Sequence, residues 1–500
     1  MAVPVLAVAI SALWSPSVTF AGGGAGGNAV TIRLCAGFQF ESAVARLLGR
    51  PGSPSPPKGG TITFACSGDI AVAEPVTVGS GQTLVVRAPH RSVTFLSFPH
   101  QVSGSSTIGD VWQVFYVNGG TLDLDHVRFH GTGAVPVTGA AGASGGGDAP
   151  DAGQGGANFQ KGGQIYIASR STVEITDSAF TGALLVGYQA GGGGCGGAGS
   201  ATAGGAGGKG GSAEGGAIYN AGTLTVTRTT FVDNRAQGGY GGFGGCGADS
   251  TAGPGGPGGS GGSGGKGKGG AIYNTGTLTV TDSTFIGNEA LGGNGGAGGE
   301  GGTDGSNTNG PGDGGPGGSG GSGGKGGDAR GGAIYSGPSF TLATTGQGTA
   351  PKLQVSHSTF RRDAAVGGVG GGSGPGGDGA SQFPACEILL DPCGTAGNGG
   401  NGGAAGSGGD ATGGAAFAGD IPSGYGAKAR LRRNRFAADR VIAGGPGSNT
   451  DCGTSSGSGG PCYGLSGVDG FGNPAAANGQ LGSTGGQGAA QDANVFNLYR

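Results

Sequence analysis

Asp123 and Glu174 occupy the third position of two nine-residue segments of one pattern, "TLDLDHVRF" (121–129) and "TVEITDSAF" (172–180). Laid side by side in register as strands, they would hold their carboxyls about 5 Å apart, the separation found in a retaining glycosidase. His126, with Asp125 and Arg128 beside it, would add a proton carrier and an anion contact. A later segment, "KARLRRNRF" (428–436), carries Arg430, Arg432, Arg433 and Arg435, a ribbon suited to an acidic polysaccharide or a phosphate-bearing surface. Charges on a solvated β surface serve structure as readily as chemistry, by pairing or by blocking end-to-end aggregation. Asp123, Glu174 and His126 are therefore candidates for catalysis, and the four arginines are candidates for ligand binding. No metal site or cofactor is expected: no CxxC occurs, and neither the calcium nonapeptide GGxGxDxUx nor an EF-hand spacing recurs.

The elements that must position these residues are repeats. "TLTVTRTTF" (223–231), "TLTVTDSTF" (277–285) and "KLQVSHSTF" (352–360) share one register with the three segments above. The second and fourth residues are apolar, as in Leu224 and Val226 or Leu278 and Val280, which is the period of a strand with one face buried. One such strand cannot bury its face alone, whereas stacked copies build a continuous core: a parallel β-helix. "GGAIYN" at 215 and 269 and "GGAIYS" at 331 supply a second strand per coil, so Tyr166, Tyr219, Tyr273, Tyr335 and Phe417 are expected to form a second internal stack. Asn118, Asn220 and Asn274 precede a short turn and suit either an asparagine ladder or a plain turn. The sixth residues of the nine-mers alternate in charge along the stack, from His126 and Asp177 to Arg228 and Asp282, which favours the intended register.

Between copies lies glycine, 133 residues of 500. The glycine-rich inserts, near 132–160, 191–213, 238–267, 292–329 and 367–411, all leave after the phenylalanine stretch and hence from one corner. Pro254, Pro257, Ser260, Ser263 and Lys266 are each separated by two glycines, so a helix of three residues per turn would align them on one edge. A flexible linker fits the composition equally well. A formal net charge of −3 gives no general attraction to nucleic acid, and no later segment is apolar for long enough to span a membrane.

Residues 1–21 read as a signal peptide, residues 22–68 as an N-terminal cap with a short helix in "ESAVARLLGRP", residues 69–442 as the β-helix and residues 443–500 as a glycine-rich tail or cap. An even count of eight cysteines suits an oxidising compartment. Neighbours in sequence are the expected partners: Cys35 with Cys66, Cys195 with Cys246, Cys386 with Cys393 and Cys452 with Cys462.

"GGAI" with "FxxN", here Gly215 to Ile218 with Phe231 to Asn234 and Gly269 to Ile272 with Phe285 to Asn288, resembles the motif pair of the chlamydial polymorphic outer membrane proteins and of bacterial right-handed β-helix surface proteins. Asp363, Asp439 and Ala183 depart from it at the final asparagine. The "GGAGGNGG" inserts resemble glycine-rich mycobacterial proteins of the PE-PGRS type. The resemblance implies a single-stranded right-handed parallel β-helix, pectate-lyase-like in architecture, at the cell surface. Two functions suit such a shaft. One is an adhesin-like structural and interaction protein, monomeric, that meets a polysaccharide or another surface protein. The other is a carbohydrate-active enzyme, a polysaccharide lyase or glycoside hydrolase, working through Asp123 and Glu174.

Overall fold

A computed structural model describes residues 28–49, 56–72, 74–89, 92–97, 113–131, 160–197, 199, 201–251, 253–304, 316–338, 350–379, 398, 400–418, 428–447, 486–491 and 495–497. The candidate signal peptide and Cys386, Cys393, Cys452 and Cys462 lie outside them.

The regular secondary structure of the described chain is almost wholly β, and the strands pair in parallel from coil to coil. A leucine–valine sheet of nine strands runs from Ala29–Ile32 to Lys428–Arg432, and a phenylalanine sheet of eight runs from Gly68–Ala71 to Arg435–Ala437. A tyrosine sheet of eight runs from Val76–Gly79 to Val495–Asn497. Pairing therefore extends beyond residues 69–442 at both ends, because Ala29–Ile32 and Val495–Asn497 each find a neighbouring strand with free hydrogen-bonding groups. In later coils a sheet of five strands, from Leu184–Val186 to Arg440–Ile442, and one of six, from Gln160–Lys161 to Ala490–Gln491, mark where the glycine-rich segments depart and return.

Register follows the sequence repeats residue for residue: Leu224 pairs with Val173 and Leu278, and Phe231 with Phe180 and Phe285. Each of these side chains is fully buried, and each contributes roughly 1.5–3 kcal/mol by leaving water. The phenylalanine rings form a column, with Phe129, Phe180, Phe231, Phe285 and Phe360 spaced 4.6, 4.9, 4.8 and 4.7 Å apart and nearly parallel. At the open end of the first coil a helix, Gly37–Leu48, buries Phe40, Ala43, Leu47 and Leu48. Phe40 meets Phe95 at 5.0 Å and closes the core, and the Cys35–Cys66 disulfide ties this cap to the shaft.

The nine-residue repeat is not one strand. Its sixth residue is a hinge in the left-handed region, with φ of 59° at His126, 49° at Asp177, 46° at Arg228, 51° at Asp282, 53° at His357 and 53° at Arg433. This residue turns the leucine–valine sheet into the phenylalanine sheet. Side chains at such φ cost roughly 1–2 kcal/mol each, and the persistence of His126, Asp177 and Arg228 over glycine fits the ion pairs they make.

The first glycine of each GGAI is likewise left-handed, with φ of 77° at Gly215 and 64° at Gly269. The second faces its counterpart one coil on: a Cβ on Gly216 would lie 2.0 Å from the Gly270 carbonyl oxygen. The motif is thus a turn followed by a close backbone contact, which only glycine permits.

The tyrosine stack exists but lies outside the main core. Tyr116, Tyr166, Tyr219, Tyr273 and Tyr335 stack with spacings of 4.9, 5.0, 5.2 and 4.9 Å, and the last three form their own buried cluster. Alternation explains this: Ile218 points inward, so its neighbour Tyr219 points out. Lys161 covers the Tyr219 ring, and Lys268 those of Tyr273 and Tyr335. The side chain of Phe417 is outside the described set.

Two amide ladders close the corners. Asn220 Nδ2 donates to Asn274 Oδ1 at 2.7 Å, and Asn274 Nδ2 to Ser336 Oγ at 2.9 Å. Asn118 is exposed, and in its coil the Gly119 amide donates instead to Ser171 Oγ at 2.8 Å. The FxxN asparagines form the second ladder: Asn234 Nδ2 donates to Asn288 Oδ1 at 2.9 Å, and Asn288 Nδ2 to Asp363 Oδ1 at 2.8 Å.

Candidate functional site

The glycine-rich segments are hydrogen-bonded to one another. From residue 187 onward each leaves the shaft as one extended chain and returns as another, so that departing and returning chains form two layers; residues 132–159 of the first insert lie outside the described residues. Across the layers, Gly205 and Gly208 donate to the Gly194 and Gly191 carbonyls at 2.8 and 3.0 Å, and Gly242 and Gly245 donate to Gly208 and Gly205 at 2.9 and 2.8 Å. Within a layer, every third residue accepts from the coil before: Tyr240 and Phe243 from Ala190 and Gly193, and Pro257 and Ser260 from Gly204 and Gly207.

Glycine fills most of the other two places, with Tyr188, Ala190, Ala248 and Ser373 as buried exceptions. A Cβ on Gly262 would stand 1.8 Å from the Gly208 oxygen, and one on Gly241 2.0 Å from that of Gly262. Burial accordingly has a period of three: Pro254, Pro257 and Ser260 are exposed on one segment, and Tyr240, Phe243 and Asp249 on another, while the glycines at 255, 256, 241 and 242 are buried. These are three-residue-per-turn helices packed on their glycine edges, each displaying one edge to solvent. The result is a slab with two decorated faces.

The returning face is hydrophilic. Serines 260, 319 and 322 and Lys209 are exposed on it. At its base, burial works against the charge of Asp328, but Lys266 at 2.8 Å, with Lys325 and Arg330, holds its carboxyl down to about 2.

The departing face differs. Tyr240, Phe243, Val369 and Ile442 are exposed there, Phe243 at 68 %. Asp249, Glu300 and Asp378 are exposed farther from the shaft, and partial burial, with the charges of Asp378 and Asp249, pushes the Glu300 carboxyl up. The Cys195–Cys246 disulfide joins two adjacent departing chains.

On the shaft, the structure brings Asp123 and Glu174 together as register partners. Asp123 also meets Arg87 at 3.5 Å. His126 sits on the hinge instead of the strand, with Nδ1 2.6 Å from Asp125 Oδ1 and Nε2 4.0 Å from Asp177 Oδ2. The donor atoms of Asp125, His126 and Asp177 lie within 4.8 Å of one another, a mixed nitrogen and carboxylate set that a divalent cation accepts. Arg228 already forks onto Asp177 through Nε and Nη2 at 2.9 and 2.7 Å, supplying the positive charge from the protein itself. Arg430 and Arg432 are exposed on the last leucine–valine strand, Arg433 on the hinge and Arg435 on the phenylalanine sheet. The basic residues therefore wrap around a corner and do not form one flat ribbon.

A shallow groove of about 330 Å³ opens elsewhere, at the bend after the phenylalanine sheet, lined by Gly182, Asp233, Arg235, Gly287 and Glu289. Arg235 Nε donates to Glu289 Oε2 across it at 2.9 Å.

Tyr240 and Phe243 lie outside the repeat motifs of the shaft. The signal was present in "GGYGGFGGCG" (238–247), where the residue between glycine pairs changes from serine or proline to an aromatic. No protein family, curated protein or solved structure matches this chain.

Proposed function

We propose that the chain is a secreted or cell-surface structural and interaction protein, adhesin-like: a right-handed, pectate-lyase-like β-helix that holds glycine-rich inserts at one corner as an ordered display. A right-handed path is the strongly favoured way for parallel strands of one sheet to be connected. The kinship with GGAI/FxxN surface proteins and PE-PGRS-like inserts rests on the motifs quoted above. Two disulfides suit an oxidising location, and no described helix is long and apolar enough to cross a membrane.

The observation that carries this reading is the slab itself. Packing favours glycine at two places in three and leaves the third to solvent on both faces, so the side chains displayed there are free to serve recognition. The carbohydrate-active reading keeps one observation in its favour, the register pairing of Asp123 with Glu174 beside His126. Ion pairing of Asp123 with Arg87 and of Asp177 with Arg228 accounts for the same region structurally.

In cells that make the full chain, protease shaving of intact cells and alkylation under non-reducing conditions test location. Fragments released from the surface, with Cys35, Cys66, Cys195 and Cys246 blocked, support the proposal. A shielded intracellular chain with free thiols overturns it. Turnover of a polysaccharide by the wild type, abolished in Asp123→Asn or Glu174→Gln, would establish the enzyme instead.

A further inference from the structure

We propose that Tyr240 and Phe243 form a stacking platform for an extended, neutral β-linked polysaccharide, an inference that rests on the slab being the protein's display surface. Both residues lie on one departing chain, and their carbonyls accept from Ala190 and Gly193 at 2.9 and 2.8 Å, so both belong to its solvent edge. Tyr240 is 41 % exposed and Phe243 68 %. In a helix of three residues per turn and ~3.1 Å rise, they stand about 9.3 Å apart on the same side. That is close to the repeat of two sugars in a flat β-1,4-linked chain, in which every second ring presents the same face. A curled α-linked chain presents no such repeat.

The neighbours leave the rings accessible. Gly192 and Ala297 flank Phe243 on adjacent chains, and Gln189 and Asn294 flank Tyr240, each about 4.8 Å away. Groups able to bond sugar hydroxyls flank the platform: Gln237 Nε2 lies 3.4 Å from the Tyr240 hydroxyl, and Asn294 is exposed beside Tyr240. Asp249, Glu300 and Asp378 supply the charge on this part of the face. They repel polyanions, so uronic-acid polymers and nucleic acid are disfavoured and a neutral chain is selected.

Folding does not account for the aromatics. The opposite face meets the same packing demand with Ser260, Ser319 and Ser322, whereas an exposed ring incurs an unfavourable contact with water and invites self-association. Their backbone is also fixed before any ligand arrives. Gly241, Gly242 and Gly244 donate to Asn294, Gly208 and Ala297 at 2.9, 2.9 and 2.8 Å, and the Cys195–Cys246 bridge follows three residues after Phe243. A platform held this way loses little conformational freedom on binding.

The test uses the full oxidised chain, with insoluble cellulose and chitin, soluble β-1,4 gluco-oligosaccharides of two to six residues, amylose and polygalacturonate. Expected are retention on the β-1,4 polymers, affinity for oligosaccharides that rises at three residues, where two same-facing rings first become available, and little binding of amylose or polygalacturonate. Tyr240→Ser with Phe243→Ser should weaken binding at least tenfold with an unchanged circular dichroism spectrum, while Phe243→Trp should retain it. Equal binding by the double variant overturns the assignment. So does an absence of binding to any neutral β-linked chain, which leaves the surface-exposure result above untouched. If the wild type is a dimer that the double variant converts to monomer, the face is an interface between copies and the proposal fails.

Discussion

Asp363 should make the coil of strands Lys352–Ser356 and Thr359–Arg361 sensitive to pH. It occupies the final position of FxxN, where Asn234 and Asn288 use Oδ1 to accept from the coil before and Nδ2 to donate to the Phe180 and Phe231 carbonyls at 3.1 Å. In Asp363, Oδ1 accepts from Asn288 N and Nδ2, both at 2.8 Å, but Oδ2 is buried without a partner. Burial pushes the carboxyl up to about 8, against hydrogen bonds from Asn288, with the Asp439 charge adding to the rise. Asp439, whose own Oδ2 is also unpartnered, is pushed up by burial to about 6.

Both shifts are upward, so the folded state holds a proton that the unfolded chain gives up near pH 4. For Asp363 the contribution is fully favourable below pH 4, falls by about 1.4 kcal/mol per pH unit above it and levels off near pH 8, and Asp439 adds a like slope only between pH 4 and about 6. At pH 7 the penalty reaches about 4 kcal/mol, an upper bound because the coil can open locally. Asp363→Asn removes it and supplies an Nδ2 that can donate to Phe285 as its counterparts donate one coil earlier. Urea unfolding of both proteins between pH 4 and 9, with hydrogen exchange of residues 352–366 against 172–186, reads the effect. The variant should match the wild type near pH 4 and exceed it by about 2–4 kcal/mol near pH 8, with added protection confined to the later coils. A difference independent of pH, or a variant less stable at pH 8, would refute the reasoning.

Phe231→Ala should destabilise by about 3–5 kcal/mol in chemical denaturation, because it opens a gap in a column of fully buried rings. Gly262→Ala should disrupt slab packing, since its Cβ would lie 1.8 Å from the Gly208 oxygen; hydrogen exchange should rise at 204–211 and 256–265 while the shaft strands stay protected. Cys195→Ser with Cys246→Ser frees a 51-residue separation and should cost up to about 4 kcal/mol by loop entropy, less because the two chains remain hydrogen-bonded; proteolysis near the slab tip should accelerate. Arg228→Ala should release Asp177 from its forked contact, seen as a fall in melting temperature at low salt that shrinks at high salt.

Strand register was legible because stacking requires like residues to lie over like, so Leu224 and Leu278 or Phe231 and Phe285 declare their pairing in the sequence. The hinge was not. His126, Asp177 and Arg228 adopt a conformation that glycine or asparagine usually signals, and the one hint, a polar sixth residue that shares the parity of the buried second and fourth, marks a break in alternation without specifying a left-handed turn. Outward placement of the tyrosines was hidden for a related reason. Alternation specifies that Ile218 and Tyr219 face opposite ways, but not which side is covered, and the return strands that carry Lys161 and Lys268 are only two residues long. Among the candidate site residues, the adjacency of Asp123 and Glu174 followed from register, whereas the ion-pair partner of Asp123, Arg87, comes from the neighbouring coil.

The slab joins these observations. The shaft fixes the separation of successive coils by hydrogen bonding, about 4.8 Å, and the glycine chains inherit that spacing because they leave from consecutive strands of one sheet. Their own threefold period then sets the spacing along each chain, about 9.3 Å. Side chains on both faces consequently stand on a fixed grid, and replacing one displayed residue by another alters chemistry without altering the grid. Serines 260, 319 and 322 on one face, and Tyr240 and Phe243 on the other, are two uses of equivalent positions. The glycines, so often a sign of a chain that does not fold, are here what allows the backbones to approach closely enough for the grid to exist.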